Sequence, residues 1–216
     1  MIRSIIVSVL LFGVLGFAQK TFEGSVTYTT KFEGAMAQQM ADMLKGQLPE
    51  KMVAYYKGSR ARTDMGEFAL ITDAEAGYVY VLNPALQTYQ KAPIQSPKEE
   101  EPQPKVTKTK EKTKILGHAA EKYVVEVATE QGPVKMEVWA APSLKLPERI
   151  GQANALTRGA KVEGLPLRIV MDVPGVDLKI VFLATQISQT SPDEALFRIP
   201  EGYVEEKGES TETGKD

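Results

Sequence analysis

Apolar and polar residues alternate along most of the chain, with the two-residue period of a half-buried β-strand. Phe22, Gly24, Val26, Tyr28 and Thr30 share one face, and Glu23, Ser25, Thr27 and Thr29 share the other. "YVYVLN" ends at the turn pair Asn83-Pro84. "AEKYVVEVATE" and "VKMEVWA" flank Gln131-Gly132-Pro133, and "LPLRIVMDV" and "VDLKIVFLATQIS" flank Pro174-Gly175, so each pair reads as a hairpin. In the second pair, Leu165, Leu167, Ile169, Met171 and Val173 share a face, as do Leu178, Ile180, Phe182 and Ala184. Shorter strands are expected at "MVAYYKG", "RARTDM", "FALIT" and "TYQKA". The pattern predicts about nine to eleven strands joined by short turns: a mainly β (α+β) fold, one curved antiparallel half-barrel sheet covered by one or two short helices.

Two stretches break the alternation. "GAMAQQMADMLKGQLPEK", residues 34–51, has helical spacing, with Met36, Met40, Met43, Leu44 and Leu48 on one face. "KLPERIGQANALTRG" can open a helix at Pro147 and close it at Gly159, with Ile150, Ala153 and Leu156 inward. From Pro93 to Lys105 the chain is a charged, proline-rich loop. The following "VTKTKEKTK" reads as a lysine-laden edge strand, which resists pairing with another molecule, or as plain loop.

The N-terminus changes the expected compartment. Arg3 precedes an uncharged run from Ser4 to Ala18, too short to span a bilayer and ending in Gly16-Phe17-Ala18, as a cleaved secretory signal does. Removing the first 18 of 216 residues leaves 198, enough for one domain spanning 19–203. There is no cysteine, hence no disulfide, no thiolate and no lipid anchor at the cleavage site. A periplasmic or extracellular protein without an integral membrane span is expected. The whole chain carries −2 at pH 7. Residues 204–216 read as a disordered acidic tail. No basic stripe interleaved with aromatics suggests nucleic acid.

Catalytic chemistry finds little support. The one histidine, His118, follows Gly117 in an expected turn, and no G-x-S-x-G elbow, phosphate-binding glycine loop or H-E-x-x-H motif occurs. Acids are numerous but scattered. No enzyme activity, catalytic residue, cofactor or resident metal is expected. Met36, Met40 and Met43 could hold Cu(I) through soft thioether sulfur, although any apolar helix face needs the same spacing. Methionine also suits a surface that adapts to variable apolar partners.

A bent sheet lined by Val, Leu, Ile, Phe and Met must have its inner face filled by side chains or leave a cavity. The candidate ligand-facing positions on the sheet are Val26, Tyr28, Tyr80, Leu82, Val125, Val127, Met136, Val138, Leu167, Ile169, Met171, Ile180 and Phe182; Met36, Met40, Met43, Leu44 and Leu48 would form a lid. Burying an acyl chain yields ~0.8 kcal/mol per CH₂, so about 14 carbons supply roughly 11 kcal/mol before entropy costs. The expected partner is an apolar small molecule, lipid or lipoprotein bound by a monomer; the alternative is an envelope protein docked on a module with a filled core.

Several stretches carry a resemblance in order: "FEGSVTYTTKF", "MVAYYKGSRARTDM", "GYVYVLNPALQTY", "TKILGHAAEKYVVE", "MEVWAAP", "GLPLRIVMDV" and "ALFRIPEGY". From about Thr21 to Tyr203 the chain resembles the secreted bacterial domain of unknown function 4412 family. Its F-x-IP-x-GY ending is similar to the outer-membrane lipoprotein carriers (LolA- and LolB-like proteins). That resemblance implies a half-open barrel around a hydrophobic cavity, with the Met-rich stretch as lid and Ile150 to Leu156 as second cover. It brings no catalytic residues. Where many members have a cysteine after the strand-opening glycine, this chain has Ala119 and Ala120.

Overall fold

The computed structural model describes residues 21–44, 48–94, 103–128, 132–154, 157 and 160–206. The expected signal sequence, most of the proline-rich loop, Leu156, Gly159 and residues 207–216 lie outside the described residues. The strands are β1 (Gly24–Glu33), β2 (Lys51–Lys57), β3 (Arg60–Met65), β4 (Phe68–Asp73), β5 (Tyr78–Asn83), β6 (Thr88–Pro93), β7 (Lys105–Ile115), β8 (His118–Val127), β9 (Val134–Ala141), β10 (Leu165–Asp172), β11 (Lys179–Ser188) and β12 (Val204–Glu205). They form one sheet in the order β12-β6-β5-β4-β3-β2-β1-β11-β10-β9-β8-β7. Every neighbouring pair is antiparallel except β12 with β6.

Eleven strands match the alternating stretches, including the lysine-laden β7, which is a free edge of the sheet. The twelfth exceeds the expected count and corrects the reading of 204–216 as wholly disordered. Val204 donates its backbone N–H to the Gln87 carbonyl and Glu206 to the Tyr89 carbonyl, 3.0 and 2.8 Å. Strand formation here needs only a free edge on β6, which no local apolar pattern announces.

Both helices are shorter than the spacing suggests. α1 is Ala37–Met43, seven residues with no buried side chain, and it packs on β1. α2 is Glu148–Gln152, entered through Pro147. A single turn or two gains little from its own hydrogen bonds, so both are positioned by the sheet. Ala35 donates its N–H to the Asp177 carboxylate (2.9 Å), and Met36 donates to the Asp177 carbonyl (3.2 Å), which moors α1 to the β10–β11 turn.

Antiparallel partners point to the same side of a sheet, so the register separates two faces. The inner face carries Val26, Tyr28, Ala54, Tyr56, Val125, Met136, Val138 and Ile169, all in the main core. Leu144, Leu146, Ile150 and Ala160 of the β9–β10 connection join that core. The outer face has a small second core of Ala69, Ile71 and Leu82, with Tyr80, Tyr89 and Tyr203 packed on it.

Strand directions also define two ends. β1 runs toward α1, and Leu86, Val176 and the β3–β4 turn lie at that end. β8 starts at the other end with His118, beside Phe22, Leu144 and Gln189.

Candidate functional site

Most sheet residues expected to face a ligand fill the interior instead of lining open space. Val26, Val125, Met136, Val138, Leu167 and Ile169 are fully buried, and Tyr28 and Phe182 are buried with them. Val127, Met171 and Ile180 are half-buried and pack against the same core. Tyr28 donates its hydroxyl to the Pro166 carbonyl, 2.7 Å. Burial pushes the Tyr28 and Tyr56 hydroxyls well above the usual tyrosine range, so both stay neutral within the core.

Tyr80 and Leu82 do not belong with that set. Tyr80 pairs with Ile71 and Leu82 with Ala69, so they face outward, under the C-terminal segment. Their strand reads Tyr-Val-Tyr-Val-Leu, apolar on both phases, and local alternation cannot say which phase points in.

The phase that does point in forms a different surface. Across β3–β6 the inner positions are Ala61, Thr63, Met65, Phe68, Leu70, Thr72, Val79, Val81, Asn83, Thr88, Gln90 and Ala92. None can carry a charge, whereas the outer positions of the same strands include Arg60, Arg62, Asp64, Asp73 and Lys91. Ala61 and Met65 reach the main core, while Phe68 is 45% exposed, Val81 is 37% exposed, and Leu70 and Val79 are half-buried. The core thus runs without a charged break into an uncharged strip toward the α1 end, whose apolar members Phe68, Leu70, Val79 and Val81 stand among Thr63, Thr72, Asn83, Thr88 and Gln90. Most isolated exposed apolar residues need no explanation, but a continuous strip does.

The expected lid residues lie at the same end. Met36, Met40, Leu44 and Leu48 are half-buried, and Met43 is 57% exposed. The chain leaving α1 is tied to β1, since Thr30 donates its hydroxyl to the Pro49 carbonyl at 2.7 Å. Pro49 in turn abuts Gly66 of the β3–β4 turn. α1 therefore packs on β1 at the end of the sheet where the β3–β4 turn also lies. His118 is at the opposite end of the sheet, so it cannot complete a thioether site on α1.

Two open clefts lie at the His118 end, the first polar and the second mixed, with Phe22 and Leu144 in its lining. One, about 380 Å³, is lined by Glu23, Lys57, Ser59, Arg60, Asp73, Glu75 and Glu194. The other, about 330 Å³, includes Glu23, His118, Ser143 and Ser191. Among the described residues no cluster of three His, Cys, Asp or Glu could hold a metal ion. No helix among them is long and apolar enough to cross a membrane.

Two motifs have structural work. In Lys57-Gly-x-Arg60-x-Arg62, Lys57 and Arg60 both pair with Glu194, and Arg62 donates to the Leu196 carbonyl (3.0 Å) and to Asp64 (2.7 Å). Arg60 also lies over the Phe197 ring, 5.6 Å from its centre. Phe197 opens F-x-IP-x-GY, so the two motifs are halves of one clamp that holds the C-terminal segment on the outer face. Lys57 and Arg60 hold the Glu194 carboxyl below the usual range. Arg62→Ala is expected to cost about 1–2 kcal/mol in urea unfolding, because Arg62 is mostly buried and its loss orphans a carbonyl.

In Gly117-x-x-x-Glu121-Lys122-Tyr123, Glu121 takes Lys108 (2.7 Å) and Lys112 (2.8 Å) while Lys122 takes Glu111 and Glu137. Both residues staple β7 to the sheet. The two lysines lower the Glu121 pKa from 4.5 to about 2. A carboxyl depressed by folding stabilises above its ordinary pKa, and that contribution is lost as pH falls through the folded value. Amide exchange in β7 should accelerate as pH falls from about 4.5 to 2, relative to β1, after correction for intrinsic rates. Glu121→Gln should remove that difference.

No family model matches the chain, and no curated protein matches it. Among solved structures, the chain is similar to an uncharacterized conserved protein from Thermus thermophilus, with 13% identity and TM-score 0.48 over 85% of this chain and 91% of that one. It is also similar to a domain from Vibrio parahaemolyticus named for outer membrane lipoprotein sorting, with 11% identity and TM-score 0.33 over 81% and 89%. A DUF1329 family protein from Desulfovibrio piger gives 7% identity and TM-score 0.35 over 82% and 90%. At these scores the likeness is one of general outline, and the functional reading rests on the chain's own geometry.

Proposed function

We propose that this is a non-enzymatic envelope protein, periplasmic or secreted, that binds or carries a neutral apolar ligand such as the acyl chain of a lipid or lipoprotein. The ligand lies on the inner strip of β3–β6, with α1 and Leu48 at the same end of the sheet. The observation that carries this is the uncharged inner face: twelve positions without an ionisable side chain, open at Phe68 and Val81. Removing its apolar part, Phe68, Leu70, Val79 and Val81, from water is favourable by about 25 cal/mol per Å². Native mass spectrometry of gently purified protein should show lipid adducts, and a fatty acid should displace an apolar dye saturably. Absence of both would end the proposal.

The second reading, a protein-docking module, is favoured by the buried interior, where the Tyr28 hydroxyl bonds the Pro166 carbonyl among fully buried neighbours. It predicts that neither lipid nor dye competes at the strip.

A further inference from the structure

We propose that the β7–β8 hairpin is a docking element for anionic phospholipid surfaces. β7 is a free edge carrying Lys105, Lys108, Lys110, Lys112 and Lys114. Lys105 is matched by Glu126, and Lys108 and Lys112 share Glu121. Lys110 and Lys114 are exposed and have no ion pair among the described residues. The hairpin also outreaches its neighbour, because β9 pairs with β8 only from Glu121 onward, whereas β7 pairs with it from His118.

At the tip stands Leu116, 44% exposed, with φ +49° beside Gly117 at φ +85°. A left-handed backbone is disfavoured for leucine and readily adopted by asparagine or glycine. A leucine there is left partly exposed and gains nothing from backbone preference. An apolar tip with the unpaired Lys114 two residues away, and Lys110 farther along the same edge, fits a bilayer interface: the side chain enters the headgroup boundary while the lysines meet lipid phosphates. An acidic protein would satisfy the lysines but leaves the leucine without a purpose. The element lies away from the apolar strip, so it stands or falls independently of ligand carriage.

The test is co-sedimentation of the full chain with vesicles of phosphatidylcholine alone and with one quarter phosphatidylglycerol. Binding is expected only to the anionic vesicles, and high salt should release it. Lys110→Gln with Lys114→Gln should weaken binding by about fivefold per lysine. Leu116→Asn should also weaken it while leaving the melting temperature unchanged or higher, an outcome that a purely structural leucine would not give. No binding to anionic vesicles, or unaltered binding by these variants, overturns the proposal. Lysine-dependent capture of an acidic protein without vesicle binding overturns it in favour of a protein partner.

Discussion

Val81→Asp is expected to abolish apolar dye and lipid binding, by about tenfold or more, while the protein still folds. Val81 sits in the middle of the strip, opposite Leu70 on one side and Gln90 on the other. Being 37% exposed, it contributes modestly to the core, and the cost to stability should stay near ~1 kcal/mol. The cost to binding is larger. A carboxylate would either be stripped of water by the ligand or force about two or more methylenes off the surface, at ~0.8 kcal/mol each. Phe68→Ser should act in the same direction. Val176→Ser, at the same end but in the β10–β11 turn, should leave binding unchanged, which distinguishes the strip from general surface greasiness. Fluorescence titration with urea midpoints alongside would read both quantities. Wild-type binding by Val81→Asp would remove the strip from consideration.

Gly164→Ala is expected to produce a large loss of stability, roughly 3–5 kcal/mol. Gly164 has φ +87°, and a Cβ there would run into the Ala141 carbonyl and the Pro142 Cα. Those are backbone atoms at the end of β9, so no rotamer change relieves the clash. Gly164 is also where the β9–β10 connection, with Leu144, Leu146 and Ile150 buried, returns to the sheet. Displacing it would lift that connection off the inner face. Thermal and urea unfolding should show the loss directly. Gly175→Ala offers a comparison: its φ is also positive, at +80°, but nothing lies within 4 Å, so a smaller loss of about 1 kcal/mol is expected.

Much of the architecture was legible because strand alternation is a local property. In β1 one phase is apolar and the other polar, and Val26 and Tyr28 point where alternation predicts; β10 and β11 carry apolar residues on both phases, with Val170 and Val181 buried on the phase opposite to Ile169 and Phe182. β5 shows the limit. Tyr78, Tyr80 and Leu82 compete with Val79 and Val81, and the choice is made by Ala69 and Ile71 across the strand and by Tyr203 far along the chain. The clamp motifs show a second limit. Lys57, Arg60 and Arg62 stand out at short spacing, but their partners Glu194 and Leu196 lie at the far end of the chain, 134 residues on from Arg60 and Arg62. The Met-rich stretch shows a third, because helical spacing states which side chains share a face and not what that face meets.

By itself, then, the order of residues determined a mainly β chain, its hairpins, two short helical interruptions and the lack of cysteine chemistry. These follow from side-chain alternation, turn preference and composition, which act over a few residues. Only the tertiary structure decided that the inner face of β1, β2 and β8–β11 is buried, that Tyr80 and Leu82 face outward, and that Phe68, Leu70, Val79 and Val81 form the apolar part of the uncharged strip. Those outcomes depend on strand register and on which distant segment covers which face, and burial is settled only when both are in place.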